Sequence, residues 1–503
     1  MKESKKTSTT IQIITIIICC TLYTAIIYNY FGIVDSYDLS RYISAGIALL
    51  EEQGLAPHIQ SYTELSFSDR DGQLVYPSAI FQVIAALLSG SLYSTPSIHL
   101  FYAFTVAIFT LSNIIIFKIL NHKIDKNLAL IITVSMLLIP YNMVFSENMT
   151  RPLTGPWGMF FWLISIYFII NKKVIKAGLT SGLALLIRIQ TYQLVFLEVI
   201  LIEKWKERLR YLLSILVTVL IFQAFFYLLI STPNGNSSFY LDAVKTIDPS
   251  KIKQSFLLGF EFLLIMKVYS IFALIIIPFL FSSVVSRETK SFILYYIAFY
   301  FVLFFATIIA MPLVYNANPN TRYFIYLYPF IPIIFGFIIS DFSFSNSLIF
   351  NRKITILLSI ITISILSLHL FNSIKSGSGN DNAIKEIYSI SDHLDEDIKN
   401  PVILTNDRYI PSYIFSSIRS RKFYNLPSLE DFTKSNHNNK IDFIIFSFRH
   451  HKHKNKITSL GYLQESGVNI TLNTPLIDNN GNTFIYESKT SELTNMIIYK
   501  RKQ

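Results

Sequence analysis

Long apolar runs separated by short charged stretches pattern this chain. The first run, residues 9–31, is long enough to cross a bilayer, which takes about 20 residues of helix. Further runs occupy 98–117, 128–145, 157–170, 177–202, 211–230, 262–281, 292–311, 323–339 and 354–371. Between them lie basic clusters: Lys118, His122, Lys123 and Lys126; Lys172, Lys173 and Lys176; Lys204-Trp205-Lys206-Glu207-Arg208-Leu209-Arg210; Arg287 and Lys290; Arg352 and Lys353. Basic loops stay on the cytoplasmic side of a membrane. That rule fixes an inside N-terminus, beginning Met1-Lys2-Glu3-Ser4-Lys5-Lys6, and decides two ambiguous stretches. If residues 76–88 were a span, the cluster from Lys118 to Lys126 would be outside, so this stretch is expected to be a helix at the outer interface. If 177–202 were one helix, Lys204 to Arg210 would be outside; two short helices with Arg188 at the outer turn keep them inside.

The last run ends at Phe371, and the chain turns polar through Ser376-Gly377-Ser378-Gly379. Beyond it, residues 383–394 have helical spacing. Pro401-Val402-Ile403-Leu404-Thr405 and Phe443-Ile444-Ile445-Phe446 read as buried strands. Asn479-Asn480-Gly481-Asn482 reads as a turn, with 483–486 and 496–499 as a terminal strand pair. The predicted fold is therefore mainly α. A polytopic membrane helix bundle of about eleven spans occupies residues 1–371 and includes an outer juxtamembrane segment, 34–97. A small extracytoplasmic α/β domain occupies 372–503. No internal repeat and no Gly-rich phosphate loop is evident in the sequence.

Composition agrees with the pattern. Of 503 residues, 52% are hydrophobic and 15% charged, against about 25% charged in soluble domains, and mean hydropathy is +0.46. The net charge of +11 needs only cytoplasmic loops and anionic head groups to account for it. No nucleic-acid motif accompanies the charge, so membrane lipids rather than nucleic acid are the expected surface partner. The two cysteines, Cys19 and Cys20, lie inside the first run and supply neither a disulfide framework nor a metal site. That run is longer than a signal-peptide core and no A-x-A site follows it, so it is expected to remain as a helix.

Charged residues at the expected outer ends carry the candidate chemistry. Val34-Asp35-Ser36-Tyr37-Asp38-Leu39-Ser40-Arg41-Tyr42 follows the first run directly. A carboxylate there is either a helix cap or a general base that takes a proton from an acceptor hydroxyl. Asp38 and Tyr42 are spaced to share one helix face. Glu147 and Arg151 sit in a later outer loop, either as a solvated pair or as a second acid with its partner. Arg188, Arg322 and Tyr323 lie at two further outer turns. An interfacial arginine commonly snorkels, but a planar guanidinium also matches phosphate. His58 is either a plain loop histidine or a substrate contact. The run Arg449-His450-His451-Lys452-His453-Lys454 reads as a solvated basic face without metal-ligand spacing.

Several of these features together resemble the GT-C glycosyltransferases, polytopic enzymes that use polyprenyl-phosphate sugars. They are an acid after the first span, Tyr42 four residues on, Gly54 and Pro57, then Tyr76-Pro77 opening an apolar stretch. Leu185-Leu186-Ile187-Arg188 looks like a later basic turn of that superfamily. Thr321-Arg322-Tyr323, with Pro329 and Pro332, looks like its late Arg-Tyr motif. The chain departs from the superfamily at Asp35-Ser36 and Asp38-Leu39, where many members carry adjacent acids, which leaves open which Asp is the base. Tyr76-Pro77-Ser78 also lacks a double proline. The resemblance implies Asp38, Asp35 and Glu147 as catalytic residues, and Arg188, Arg322 and Tyr323 as ligands of the donor phosphate. Tyr42, His58, Tyr76 and Arg151 would be substrate contacts. It implies no cofactor, although some members use a divalent ion, here placed at Asp38 and Glu147. A lipid phosphate is already a good leaving group, so cations that neutralise its developing charge suffice.

The expected function is inverting transfer of a monosaccharide from a polyprenyl-phosphate donor to a lipid-linked glycan, O-antigen or lipopolysaccharide, at the outer leaflet of a bacterial inner membrane. Glucose is the first candidate because serotype-converting O-antigen glucosyltransferases are similar in size and layout. Lipid A or protein is the alternative acceptor. A transporter or flippase is the rival class, but it would carry its charges near the bilayer midplane and show paired repeats. A structural partner in envelope assembly would need no carboxylate facing a cavity.

Overall fold

The structure is a computed structural model. It describes residues 2–31, 59–61, 79–88, 98–138, 154–188, 191–229, 257, 263, 266–310, 325–342 and 352–376, together with strands at 402–405, 422–425, 443–447, 476–477, 483–484, 486–488 and 496–501. Most of what is described is helical. The helices are α1 (Lys2–Phe31), α2 (Ala79–Leu88), α3 (Ile98–Asn121), α4 (Lys126–Ser135), α5 (Thr154–Ile170), α6 (Val174–Ile187), α7 (Tyr192–Leu197), α8 (Trp205–Leu229), α9 (Lys267–Phe281), α10 (Arg287–Ala310), α11 (Phe330–Asp341) and α12 (Arg352–Ser376). Three helical stretches are long and apolar enough to cross a membrane among the described residues: Thr9–Tyr28, Leu100–Asn121 and Arg287–Ala306. Shorter apolar helices accompany them, including Thr154–Ile170 and Val174–Ile187. With this composition, the chain is a membrane protein.

The chain divides into two compact units, and the first holds residues 1–34, 102–229 and 236–378. Its helices keep polar side chains within an apolar sequence by turning them onto their own backbone. In α1, Thr15, Thr21 and Thr24 donate to the carbonyls of Ile11, Ile17 and Cys20 at 3.0, 2.8 and 2.9 Å. Such bonds leave no hydroxyl short of a partner in lipid. Cys19 and Cys20 are buried free thiols in the core. Asp125 caps α4, its carboxylate accepting from the Asn127 amide at 2.8 Å. Helices α1 and α12 pack together, as do α6 with α5 and with α8.

Close packing of α6 on α8 follows from Gly178-Leu179-Thr180-Ser181-Gly182. A Cβ on Gly178 would lie 2.5 Å from the Tyr211 carbonyl oxygen, and one on Gly182 would lie 2.6 Å from Thr218 Cβ. Glycines one turn apart let membrane helices approach to backbone contact where hydrophobicity alone supplies no drive between them.

Rings fill the centre of this unit. Phe330, the first residue of α11, has its ring centroid 5.3 Å from Trp162, 5.0 Å from Tyr295 and 5.3 Å from Tyr296. Rings at these separations add to the stabilisation from area burial. The expected run 323–339 becomes a 3-10 turn, Ile325–Leu327, followed by α11 from Phe330. Pro329 caps the helix and Pro332 lies in its first turn, where a missing N–H costs nothing. The expected run 128–145 likewise passes from α4 into a 3-10 turn at Met136–Leu138.

The second unit comprises residues 35–101, 230–235 and 379–503. Its strands are β1 (Ile59–Ser61), β2 (Val402–Thr405), β3 (Lys422–Asn425), β4 (Phe443–Ser447), β5 (Leu476–Ile477), β6 (Thr483–Phe484), β7 (Tyr486–Ser488) and β8 (Met496–Arg501). Six of them form one sheet in the order β1-β3-β2-β4-β8-β7. The β1–β3, β3–β2 and β2–β4 pairs are parallel, while β4–β8 and β8–β7 are antiparallel. The continuous apolar runs Val402-Ile403-Leu404 and Phe443-Ile444-Ile445-Phe446 form the two middle strands of the six, β2 and β4. The terminal pair, expected between 483–486 and 496–499, instead joins β7 to β8, with Tyr486 opposite Arg501 and Ser488 opposite Tyr499, while Thr483–Phe484 pairs with β5. Strand β1 comes from the long segment after the first helix and pairs Ile59 with Phe423. The expected helix at 383–394 lies outside the described residues.

Candidate functional site

Of the residues singled out in the sequence, Arg188 is described, and it stands where the long run 177–202 breaks. Helix α6 ends at Ile187, and Arg188 is extended, with φ −147° and ψ 110°, while its amide still closes the last helical turn on the Ala184 carbonyl at 2.9 Å. Thr191, fully buried, restarts the chain by donating its hydroxyl to the Arg188 carbonyl at 2.8 Å. The two short helices expected here are therefore present as α6 and α7, and the charge falls between them.

Arg188 is only 7% exposed, so it does not reach into bulk water as a snorkelling arginine would. Two glycines of α5 make room for it. A Cβ on Gly155 would lie 2.6 Å from Arg188 Nη1, and one on Gly158 would lie 3.4 Å from Arg188 Cβ and 2.8 Å from the Tyr326 hydroxyl. The guanidinium carbon stands 5.9 Å from the centre of the Tyr326 ring, a cation–π arrangement. Tyr326 packs edge-on to Trp162, with centroids 6.4 Å apart. Trp162 Nε1 donates to the Tyr295 hydroxyl at 2.8 Å, and that hydroxyl donates to the Leu194 carbonyl at 3.1 Å. A line of contacts thus runs from Arg188 through three rings and back to the segment that follows it.

That segment carries a second charged residue, which sequence reasoning passed over. Glu198 is fully buried at the start of a 3-10 turn, Glu198–Leu201. Its Oε2 accepts from Ser165 of α5 at 2.6 Å, from Ser181 of α6 at 3.0 Å and from Tyr211 of α8 at 2.5 Å. The only signal in the sequence is that one acid interrupts the same apolar run as Arg188.

Asp35, Asp38, Tyr42, His58, Tyr76, Glu147, Arg151, Arg322 and Tyr323 all lie outside the described residues. So does the position expected for a divalent ion, Asp38 with Glu147. Among the described residues, no three His, Cys, Asp or Glu side chains cluster.

No protein-family model matches the chain, and no curated protein matches it. Solved structures do. The chain is similar to ArnT from Cupriavidus metallidurans, whose crystal structure holds undecaprenyl phosphate, with a TM-score of 0.56 and 9% identity over 98% of each chain. An oligosaccharyltransferase from Archaeoglobus fulgidus, solved with zinc and sulfate, also matches, at a TM-score of 0.43 and 11% identity over 86% of this chain and 68% of that one. At such low identity the ArnT likeness establishes architecture, and function has to be argued from the residues.

Proposed function

We propose that this protein is a membrane glycosyltransferase of the GT-C type, taking a monosaccharide from a polyprenyl-phosphate donor. The observation that carries the reading is the ArnT fold over 98% of both chains, in a protein solved with a polyprenyl phosphate bound. A buried arginine between two short helices of that fold supports it, because a guanidinium in a low-dielectric setting is suited to a phosphate leaving group. The step is a single displacement. Asp38, or Asp35 in its place, takes the proton of an acceptor hydroxyl. The acceptor oxygen bonds to the anomeric carbon as the bond from that carbon to the phosphate oxygen breaks. Polyprenyl phosphate leaves with the electron pair, and Arg188 and Arg322 balance its charge. Glu147 orients the acceptor.

The proposal extends to setting. The chain crosses a bacterial inner membrane about eleven times, with the N-terminus in the cytoplasm and residues 372–503 as a periplasmic α/β domain. Glucose is the proposed sugar and O-antigen or lipopolysaccharide the proposed acceptor, with the donor entering laterally from the outer leaflet.

Two measurements test this. Lipopolysaccharide from cells with the gene should carry a hexose that cells without it lack; label found on lipid A or on protein would replace the acceptor. Purified protein in nanodiscs should transfer sugar from a polyprenyl-phosphate donor, and Asp38→Asn should lower turnover about 10²–10⁴-fold while the protein still accumulates. Loss in Asp35→Asn alone would move the base to Asp35. Full activity in both variants would remove the base from this segment, and no transfer from any polyprenyl-phosphate sugar would end the glycosyltransferase reading.

A further inference from the structure

The four segments that meet at Glu198 are distant in sequence and bring three hydroxyls to one oxygen. Ser165, Ser181 and Tyr211 all reach Oε2, whereas Oε1 meets no partner among the described residues. The donors are also tied to one another. Ser181 Oγ lies 2.8 Å from Ser165 Oγ and 2.9 Å from the Tyr211 hydroxyl, which is itself 3.0 Å from the Val195 carbonyl. A carboxyl group gripped by one oxygen cannot rotate without breaking every one of these bonds. Its orientation is therefore set by α5, α6 and α8 together.

This grip falls on a segment that is otherwise short and weak. Helix α7 has 6 residues and the following 3-10 turn has 4, too few to hold a position by themselves. From the far side, Tyr295 of α10 bonds the Leu194 carbonyl. The Leu194 carbonyl also closes the turn onto the amide of Glu198. At the other end of the segment, Thr191 bonds the Arg188 carbonyl through both its amide and its hydroxyl, at 3.0 and 2.8 Å. Thr191 thus ties Arg188 to one end of this segment, and Glu198 anchors the other.

Replacing a buried polar group together with its partners by apolar residues is commonly neutral or stabilising, whereas removing one member strands the others. Buried polar groups of this sort are retained where they fix register. We infer that Glu198 is a positioning residue, which clamps segment 191–201 to α5, α6 and α8 and thereby holds the Arg188 guanidinium in place for an anionic phosphate ligand. The inference rests on the glycosyltransferase reading for the identity of that ligand, and on the geometry alone for the clamp.

The test uses full-length protein in nanodiscs and undecaprenyl phosphate as the probe. Glu198→Leu strands three hydroxyls and should melt lower than wild type, and well below its melting point it should bind the probe about tenfold more weakly, a coupling of the size seen within one network. Glu198→Gln should recover most of that loss, because its amide oxygen accepts the same three hydroxyls. Arg188→Ala combined with Glu198→Leu should bind no more weakly than Arg188→Ala alone. Strictly additive losses, or Glu198→Gln as weak as Glu198→Leu, would overturn the positioning role.

Hydrogen exchange of the amides of residues 188–197 without ligand separates the two readings. Faster exchange in Glu198→Leu sustains the clamp even if wild type fails to bind the probe, in which case the functional reading falls by itself. Unchanged exchange overturns the clamp whatever binds. If Glu198→Leu does not fold, Tyr211→Phe and Ser165→Ala remove single donors and should give the same order of effects in smaller measure, with unchanged exchange in both counting against the clamp.

Discussion

Arg188 and Glu198 lie at opposite ends of the same short segment, both are buried, and the protein accommodates them in opposite ways. Around Glu198 it supplies donors: three hydroxyls from three helices converge on one carboxylate oxygen. Around Arg188 it supplies space and rings: two glycines of α5 take the place of side chains, and the Tyr326 ring lies under the guanidinium. A buried charge costs several kcal/mol unless it is compensated. Compensation built from the protein's own side chains makes a fixed structural centre. A guanidinium packed against glycine backbone and an aromatic face keeps a planar fork of donors, the geometry that matches phosphate. The comparison assigns Glu198 to architecture and Arg188 to ligand chemistry, and it can be broken.

The largest effect should come from Arg188. If it meets the leaving phosphate, Arg188→Ala should lower turnover of a polyprenyl-phosphate sugar by about 10²–10³-fold, the range for losing one preorganised group that stabilises developing charge. Arg188→Lys should recover little of this, because it keeps the charge but loses the planar fork. A steady-state assay on protein of unchanged melting temperature decides it. Equal loss of turnover and of stability in Arg188→Ala would make Arg188 a second structural centre and erase the contrast.

Next is the donor side of Glu198. Tyr211→Phe removes one of three hydroxyls and leaves two serines in place, so the destabilisation should be about 1 kcal/mol, within the range for interhelical hydrogen bonds in membranes. A thermal or denaturant titration in detergent measures it. A loss several times larger would mean that Tyr211 supports the Glu198 network mainly by itself.

The break at Arg188 was legible in the sequence and the Glu198 centre was not, and the reason is physical. A break follows from a one-dimensional constraint: an apolar run of this length, interrupted by a charge and followed by Lys204 to Arg210, satisfies the positive-inside rule only if it turns. The partners of Glu198 come from three other helices, and Ser165, Ser181 and Tyr211 are separately ordinary residues for membrane helices. Their convergence is a property of packing. The same distinction runs through the second unit. Central strands β2 and β4 announce themselves by continuous apolar runs, whereas β1, Ile59-Gln60-Ser61, has no period of its own and is defined by its partner Lys422–Asn425 far along the chain. The onset of α11 at Phe330 depends on Pro329 and Pro332, local signals that a hydropathy reading beginning at Tyr323 overrides.

An effect of similar size tests the scaffold that carries both centres. Ser181 and its neighbours Gly178 and Gly182 lie on α6, and a methyl group on Gly178 would meet the Tyr211 backbone oxygen, which cannot swing aside as a side chain can. Gly178→Ala must therefore push α6 from α8, at a cost of about 1–3 kcal/mol if overpacking behaves as in other cores. Gly155→Ala meets only side-chain ends, Arg188 Nη1 and Ile325 Cδ1. It should cost less stability and more ligand affinity, because what moves is the guanidinium. Measuring melting temperature and undecaprenyl phosphate binding for the two variants side by side should give opposite orders. The same order in both measurements would show that α5 does not distinguish a ligand site from a packing site.

The smallest effect is expected where a charge pair has water to turn to. Lys123, in the loop before α4, pairs with Glu288 in the first turn of α10, with the two side chains 28% and 42% exposed. Lys123 Nζ also stands 5.8 Å from the centre of the Phe337 ring. Water already solvates both groups, so the pair avoids little desolvation cost, and the gain from pairing is offset by the ordering of two long side chains. Exposed pairs measured by double-mutant cycles contribute about 0.2–1 kcal/mol. Glu288→Ala should accordingly shift the melting temperature least of these variants, and the shift should shrink further in high salt, because screening acts on exposed charges and spares buried ones. Glu198→Leu should show no such salt dependence. A Glu288→Ala loss that exceeds that of Tyr211→Phe and persists at high salt would mean that burial does not set the ranking, and the contrast between Arg188 and Glu198 would then need another basis.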